Sequence, residues 1–257
     1  MNSWEFTKTL FSLCLGLIYW SAGLSKLAPY HIGNFIGPVD LDKVFNSPVI
    51  HIGMILIAAY QVISGTLLLS QKYNFLGVML SFPMSLGIFL FTAFTGFELT
   101  PLINLFLLAM LTYVLLQEKE SVSYVIRMRF KDALKNSSHY NLPVNTRMEV
   151  IAITISFLIV PLSFFIQGIL LPLFASLSLL LFTIQMFQTR KLFLLIDKTL
   201  LILVIIDGIM IVNGVYLISL FRPFFIIAFS LIPICFLLYL IRIGYYAYLR
   251  SSRRTFS

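Results

Sequence analysis

The sequence predicts an all-α membrane protein, a polytopic bundle of about eight transmembrane helices with both termini in the cytoplasm. Hydrophobic residues make up 60% of the 257 positions, charged residues only 11%, and the mean hydropathy is +0.98. Soluble domains are usually about 45–50% apolar. The apolar segments have the length of a membrane-spanning helix, about 17–25 residues, whereas the strands of a membrane β-barrel have about 10. These observations predict a helical rather than a β-barrel membrane protein.

Eight apolar segments can be delimited, four in each half of the chain. A turn-rich loop, residues 28–47, separates the first two segments. The connections from the fifth to the sixth segment and from the seventh to the eighth are very short, which predicts antiparallel neighbours in both cases. The predicted spans are residues 9–27, 48–69, 75–97, 101–117, 150–167, 171–188, 199–220 and 223–245.

The first apolar segment could instead be a secretory signal peptide, because Ser21, Ala22 and Gly23 are small enough for a cleavage site. The segment is long for such a peptide, and Tyr19 and Trp20 occupy positions where small residues would be expected. We therefore expect it to be the first transmembrane helix.

Small residues recur every four positions in the third segment, at Gly77, Ser81 and Ser85. This spacing places them on one helical face, where they allow a neighbouring helix to approach closely. The pattern predicts a packing face.

The polar segment 118–149 divides the chain into a four-helix bundle, residues 1–117, and a second four-helix membrane region with a basic tail, residues 150–257. The segment is predicted to be a basic cytoplasmic linker. Its pattern suits a short helix on the membrane surface, although the alternation between Ile126 and Lys131 would also suit a strand. In the helical interpretation, Val122, Ile126, Phe130 and Ala133 share one face, and Ser123, Arg127, Lys131 and Lys135 the opposite one.

The orientation follows from the distribution of basic residues. Of the 18 lysines and arginines, only Lys26, Lys43 and Arg222 fall on the side opposite the N-terminus. Cytoplasmic loops carry the excess of basic residues. Both termini are therefore predicted to be cytoplasmic and the loop after Lys26 periplasmic, as expected for a bacterial inner-membrane protein.

A first candidate site lies at the predicted periplasmic face and comprises Lys26, His31, His51 and Glu98. Imidazole can carry a proton or donate a hydrogen bond to a quinone carbonyl, and Lys26 and Glu98 are placed to form an ion pair. The alternative is ordinary interface chemistry, in which Lys26 extends towards the headgroups. The histidine spacing does not indicate a metal site.

A second candidate site lies inside the membrane at Asp207. An aspartate at the centre of a spanning helix costs about 2.5–3.5 kcal/mol, so it must be protonated, paired or turned towards the bundle interior. Asn213 and Gln185, with Gln167, could supply amide partners. A functional carboxyl group and a polar clamp between helices remain equal alternatives.

Other chemistry finds little support in the sequence. Cys14 and Cys235 each stand alone in an apolar run, without metal-ligand or redox spacing, and are interpreted as small buried side chains. The net charge of +8 is explained by membrane topology rather than by nucleic-acid binding, because no nucleic-acid motif accompanies it. No nucleotide-binding or hydrolase motif is present.

Residues 9–117 resemble the DoxX and MauE-like group of small four-helix membrane proteins. The resemblance rests on the end of the first segment, Ala22-Gly-Leu-Ser-Lys-Leu27, and on Gln61-Val-Ile-Ser-Gly-Thr-Leu-Leu-Leu69 in the second. Members of that group are similar to subunits of membrane redox systems. The resemblance implies that Lys26 corresponds to the group's position at the end of the first helix. MauE-like proteins have a cysteine-rich segment where this chain has Phe94-Thr-Gly-Phe-Glu98, which argues against a thiol-redox role.

Three functions are therefore predicted as alternatives. The first is a membrane subunit or assembly factor for a protein partner, such as a redox complex, at the periplasmic or membrane face. The second is a quinone- or lipid-processing enzyme that uses the first candidate site, with quinone as its only implied cofactor. The third is a proton-coupled transporter that uses Asp207, although no internal repeat or pair of broken helices is evident.

Overall fold

A computed structural model describes residues 3–28, 30–35, 48–94, 99–137, 142, 144–166, 168–189, 194–221 and 223–254. All regular structure in these residues is helical, and none of them forms a strand. The first half contains α1 (Ser3–Leu27), α2 (Pro48–Leu69), α3 (Asn74–Phe94) and α4 (Thr100–Gln117). Two short helices follow, α5 (Lys119–Ile126) and α6 (Phe130–Asn136). The second half contains α7 (Thr146–Leu162), α8 (Leu170–Thr189), α9 (Leu195–Val212), α10 (Gly214–Leu220) and α11 (Phe224–Arg254).

Six of the described helices are long and apolar enough to cross a membrane, namely α1, α2, α3, α4, α8 and α11. The pair α9 and α10 makes a seventh candidate if it is counted as one span, although its two parts are bent by 77°. The all-helical prediction is confirmed for the described residues. Helix α2 has the predicted bounds, and α1 begins earlier than the predicted residue 9.

Helix α1 is the most buried of the candidate spans, since 67% of its most apolar 18-residue stretch is buried. Phe6, Leu17, Trp20 and Leu24 are almost fully enclosed. They belong to one apolar core that also contains residues of both halves, such as Val62 of α2 and several residues of α7, α8 and α9. The two halves therefore pack around a shared central helix.

The predicted packing face of α3 is confirmed. Gly77, Ser81 and Ser85 are all buried on this helix. A Cβ atom on Gly77 would lie 2.4 Å from the backbone nitrogen of Leu68, so only glycine permits this approach of α3 to α2. Tyr19 of α1 reaches the same face, where its hydroxyl donates a hydrogen bond to Ser85 Oγ over 2.9 Å.

The linker is helical, but it contains two helices rather than one. Helix α5 ends because Met128 adopts a left-handed conformation with φ 58°. The Arg129 amide then donates to the carbonyl of Tyr124, and the Met128 amide to that of Val125, as in a Schellman C-terminus. The bend breaks the predicted continuous face, so Ala133 is buried while Ile126 and Phe130 are exposed.

The seventh predicted span is broken. Helix α9 ends at Val212, Asn213 forms the bend, and α10 begins at Gly214. The hydrophobic pattern is continuous here, whereas the fold turns the chain at Asn213, the one amide side chain of the predicted span.

Candidate functional site

Lys26 lies in the last turn of α1, and its side chain reaches α2. Its ammonium group donates to the carbonyl of Ala22 and to Gln61 Oε1 of α2, both over 3.0 Å. Gln61 is buried, with 6% of its surface exposed. The lysine therefore forms a hydrogen-bonded link between the first two helices.

The chain after α1 packs over the break between α9 and α10. The Gly33 amide donates to the carbonyl of Val212 over 3.1 Å, and a Cβ atom on Gly33 would lie 2.1 Å from the carbonyl oxygen of Ile211. Nearby, His31 Nδ1 and the Tyr216 hydroxyl are 3.2 Å apart. Residues 30–35 thus hold the first half of the protein against the bend.

The four residues of the first candidate site are only partly described. Lys26 and His31 have separate partners, Gln61 and Tyr216. The side chain of His51 and the whole of Glu98 lie outside the described residues. The predicted ion pair between Lys26 and Glu98 therefore falls outside the part of the chain that the structure describes.

Asp207 lies in α9 and is buried, with 5% of its surface exposed. Its Oδ1 atom has no hydrogen-bond partner among the described residues. The proposed amide partners point elsewhere. Asn213 donates to Ser176 Oγ and to the carbonyl of Ile209, both over 2.7 Å, and Gln185 donates to the carbonyl of Asn145 over 2.8 Å.

The structure thus does not bring together Asp207, Asn213 and Gln185, and Gln167 lies outside the described residues. The amide side chains of Asn213 and Gln185 join helices or cap them, as polar clamps do. Asp207 is not held by such a clamp at Oδ1.

Two thiols that the sequence showed as isolated lie near Asp207. Cys14 of α1 and Cys235 of α11 are free cysteines, each half-buried and packed against the shared core. Asp207 lies within electrostatic range of both thiols, and Cys14 within range of Cys235. No sequence spacing could have revealed this cluster, because its three members come from three different helices.

A small cavity of about 10 Å³, roughly the space of one water molecule, extends to within two residues of Asp207 along α9. It is lined by Leu13, Gln71, Thr183 and Ile205, among others. A second cavity of about 10 Å³ shares Leu13 and Gln71 and also has Ser12 in its wall. Gln71 is buried, and its Oε1 atom has no partner among the described residues. Gln71 therefore places an unpaired amide oxygen between two water-sized cavities.

Two buried ion pairs join charged residues whose positions in the sequence indicate only membrane topology. Lys8 of α1 pairs with Glu118 at the end of α4, and Asp197 of α9 pairs with Arg242 of α11. Arg242 is fully enclosed, with its guanidinium 3.9 Å from the ring centre of Phe6. The partners lie far apart in the chain, so no local pattern could have identified them.

Glu149 is a further buried carboxylate at the start of α7. Its Oε1 atom accepts a hydrogen bond from the Ser70 hydroxyl and another from the Lys72 amide, the latter over 3.1 Å. It thus ties α7 to the connection between α2 and α3. In the sequence, Glu149 is only the last residue of the polar linker.

Comparisons with protein-family models, with curated proteins and with solved structures give no match to this chain. Among the described residues, no three histidine, cysteine, aspartate or glutamate side chains form a group that could hold a metal ion. The described residues provide one buried carboxyl group without a clamp, that of Asp207, and a network of buried polar links.

Proposed function

We propose that the chain is an accessory subunit or assembly factor for a membrane-associated complex, with redox systems as the class of partner that the DoxX-like resemblance implies. It is placed in the cytoplasmic membrane of a bacterium, and its protein partner binds at the periplasmic or membrane face. Residues 1–117 form the DoxX-like unit of this proposal.

The observation that carries the proposal is that the residues behind the resemblance form the contact between α1 and α2. Lys26 donates to Gln61, so the two motif segments are linked directly. The motif glycines form the tightest part of the same contact. A Cβ atom on Gly23 would lie 2.6 Å from the carbonyl oxygen of Ala58, and one on Gly65 would lie 2.4 Å from the backbone nitrogen of Trp20. The motif is therefore a structural unit that can be tested as such.

The proposed topology has eight spans and both termini in the cytoplasm. It adds α7 to the seven candidate spans described above. Helix α7 has 17 residues, at the lower limit for crossing a bilayer. Four polar contacts join residues that this topology places on the same, cytoplasmic side. These contacts are Lys8–Glu118, Ser70–Glu149, Asn145–Gln185 and Asp197–Arg242. They support an alternating path through the membrane in which α7 crosses.

The test is affinity purification of the tagged chain from native membranes in a mild detergent, with the bound proteins identified by mass spectrometry. We expect a membrane-associated partner to be retained, and Lys26→Met or Gln61→Leu to reduce its recovery at unchanged expression. Lys119→Met is the matched control, because it removes an exposed lysine at the opposite end of the bundle. Recovery of the chain alone in several detergents would count against the proposal.

A proton-coupled role is the second candidate, and a specific observation favours it. Asp207 is buried with a free carboxyl oxygen, six residues before the break in the same helix. Broken membrane helices often form ion and substrate sites in transporters. Among the described helices, α9 and α10 are the one apolar pair that is so sharply bent at a short break. The carboxyl group would act as a proton carrier in this candidate.

The quinone- or lipid-processing alternative has less support from the described residues. A quinone site at the periplasmic face would need Lys26 and His31 to present donors to one ligand. The Lys26 ammonium already donates to Ala22 and Gln61, and His31 Nδ1 is engaged with Tyr216. Both side chains are thus engaged by other groups of the protein, and we derive no reaction step from them.

A further inference from the structure

The turn between α5 and α6 exposes apolar and basic side chains in strict alternation. Ile126, Met128 and Phe130 are 76%, 78% and 56% exposed. Arg127, Arg129 and Lys131, which stand between them, are exposed as well. We call residues 126–131 the basic–apolar turn. Large apolar side chains exposed together with cations are typical of segments that lie at a membrane surface.

The backbone of this turn adopts an uncommon conformation at an exposed apolar residue. Met128 occupies the left-handed position at which a helix C-terminus usually has glycine. A side chain there is strained, since its Cβ atom comes too close to the following carbonyl oxygen in this conformation. The fold accepts this strain at a residue whose apolar side chain is more than three-quarters exposed.

All the charged side chains of the basic–apolar turn are basic. Arg129 has an acidic partner in Asp132, with 2.7 Å between the ion-pair atoms, and it also lies over the ring of Tyr124. Between residues 126 and 131 there are three basic residues and no acidic one. Basic residues close to an anionic leaflet contribute about 1 kcal/mol each. The turn therefore has the charge that complements anionic headgroups.

The position of the turn in the fold brings it close to the membrane boundary. Helix α5 begins directly after Glu118, which pairs with Lys8 near the start of α1. This ion pair fixes the start of α5 to the ends of two candidate spans. The eight-residue α5 and the seven-residue α6 cannot carry the turn far from that boundary, since their lengths are about 12 Å and 11 Å at 1.5 Å per residue.

We propose that the basic–apolar turn is a binding site for anionic phospholipids of the leaflet that faces it. Ile126, Met128 and Phe130 insert into the interfacial region, and Arg127 and Lys131 bind the headgroup phosphates. The site attaches the linker between the two membrane regions to the bilayer surface. It does not depend on the partner or on the proton-coupled role proposed above.

The test uses the full-length protein in nanodiscs of phosphatidylcholine alone or of phosphatidylcholine with phosphatidylglycerol, and measures amide hydrogen exchange across α5 and α6. We expect exchange there to slow about thirtyfold when the anionic lipid is present, because two cations are then attracted to a negatively charged leaflet. The double variant Arg127→Gln/Lys131→Gln should abolish that difference. Met128→Ser should speed exchange in both kinds of nanodisc.

The matched control is Lys119→Gln/Arg147→Gln, which removes two exposed cations outside the turn. We expect this control to keep the response to phosphatidylglycerol, and all variants to share the thermal unfolding temperature of the wild type. Equal exchange of the wild type in both nanodiscs would overturn the proposal. A control variant that loses the response as fully as the test variant would also overturn it, because the effect would then be general charge attraction.

Discussion

Individual glycines set the distances between the helices of the first half. At Gly65, an added Cβ atom would lie 2.4 Å from the Trp20 nitrogen and 2.7 Å from its Cα atom, so the obstacle is backbone that cannot rotate away. At Gly53, on the same helix, an added Cβ atom would meet nothing within 4 Å. Two identical residues of α2 therefore have opposite roles, one in close packing and one at an open surface.

Gly65→Ala is expected to lower the thermal unfolding temperature of the detergent-solubilised protein, because α1 and α2 must move apart. Overpacking of this kind typically costs about 1–3 kcal/mol. Gly53→Ala is the control, and it should leave stability unchanged or raise it slightly, since alanine favours a helix over glycine by about 1 kcal/mol. Similar unfolding temperatures for the two variants would contradict the close contact.

At the scale of elements, the break between α9 and α10 gives the second half its distinctive geometry. Asn213 remains at the bend and donates to Ser176 of α8, while the chain after α1 binds the freed carbonyl of Val212. A backbone break inside a membrane requires such partners, because no water is present to satisfy the freed groups. Asp207 lies in the helix before the break, where its carboxyl group is enclosed but unclamped at Oδ1.

Asp207→Asn separates the two roles of this carboxyl group. If it carries protons, reconstituted vesicles of the wild type should show proton uptake that the variant lacks, at unchanged expression and thermal stability. Uptake is measured with an entrapped pH-sensitive dye under an imposed membrane potential. Asp132→Asn serves as the control, because it makes the same chemical change at an exposed ion pair of α6. Equal uptake by Asp207→Asn and the wild type would exclude the proton-carrying role.

At the scale of the whole molecule, α1 is the common centre and buried polar contacts at one end of the bundle join the two halves. Thr7 of α1 and Tyr239 of α11 are hydrogen-bonded over 3.0 Å between their hydroxyl groups, next to the pair formed by Asp197 and Arg242. A buried ion pair is strongly destabilised when one partner is removed, so these contacts fix which helix ends lie together. The arrangement agrees with a path that returns to the same side after every second span.

The proposed orientation can be measured by cysteine labelling in intact cells. In a background of Cys14→Ser and Cys235→Ser, Tyr30→Cys should react with a membrane-impermeant maleimide, because residue 30 is exposed and the topology makes it periplasmic. Lys119→Cys should react only after the membrane is permeabilised. The reverse pattern would contradict cytoplasmic termini, and labelling of both positions in intact cells would contradict the proposed number of spans.

The sequence by itself determined the fold class, the position of nearly every helix and the packing face of α3. These properties depend on the length and periodicity of local hydrophobic runs, which are written directly in the chain. It also indicated Asp207 as an unusual intramembrane charge, and the motif residues Lys26 and Gln61. The contact between those two residues was not evident from either segment alone.

Only the tertiary structure decided which distant residues meet. Lys8 pairs with Glu118 across 110 positions, and Asp197 with Arg242 across 45, so neither contact has a local spacing. The same holds for the two thiols beside Asp207 and for the bend at Asn213, which depends on a side chain of a neighbouring helix. Hydrophobicity places a segment in the membrane, but the specific contacts inside it arise from the buried polar groups, which must find partners wherever the fold brings them.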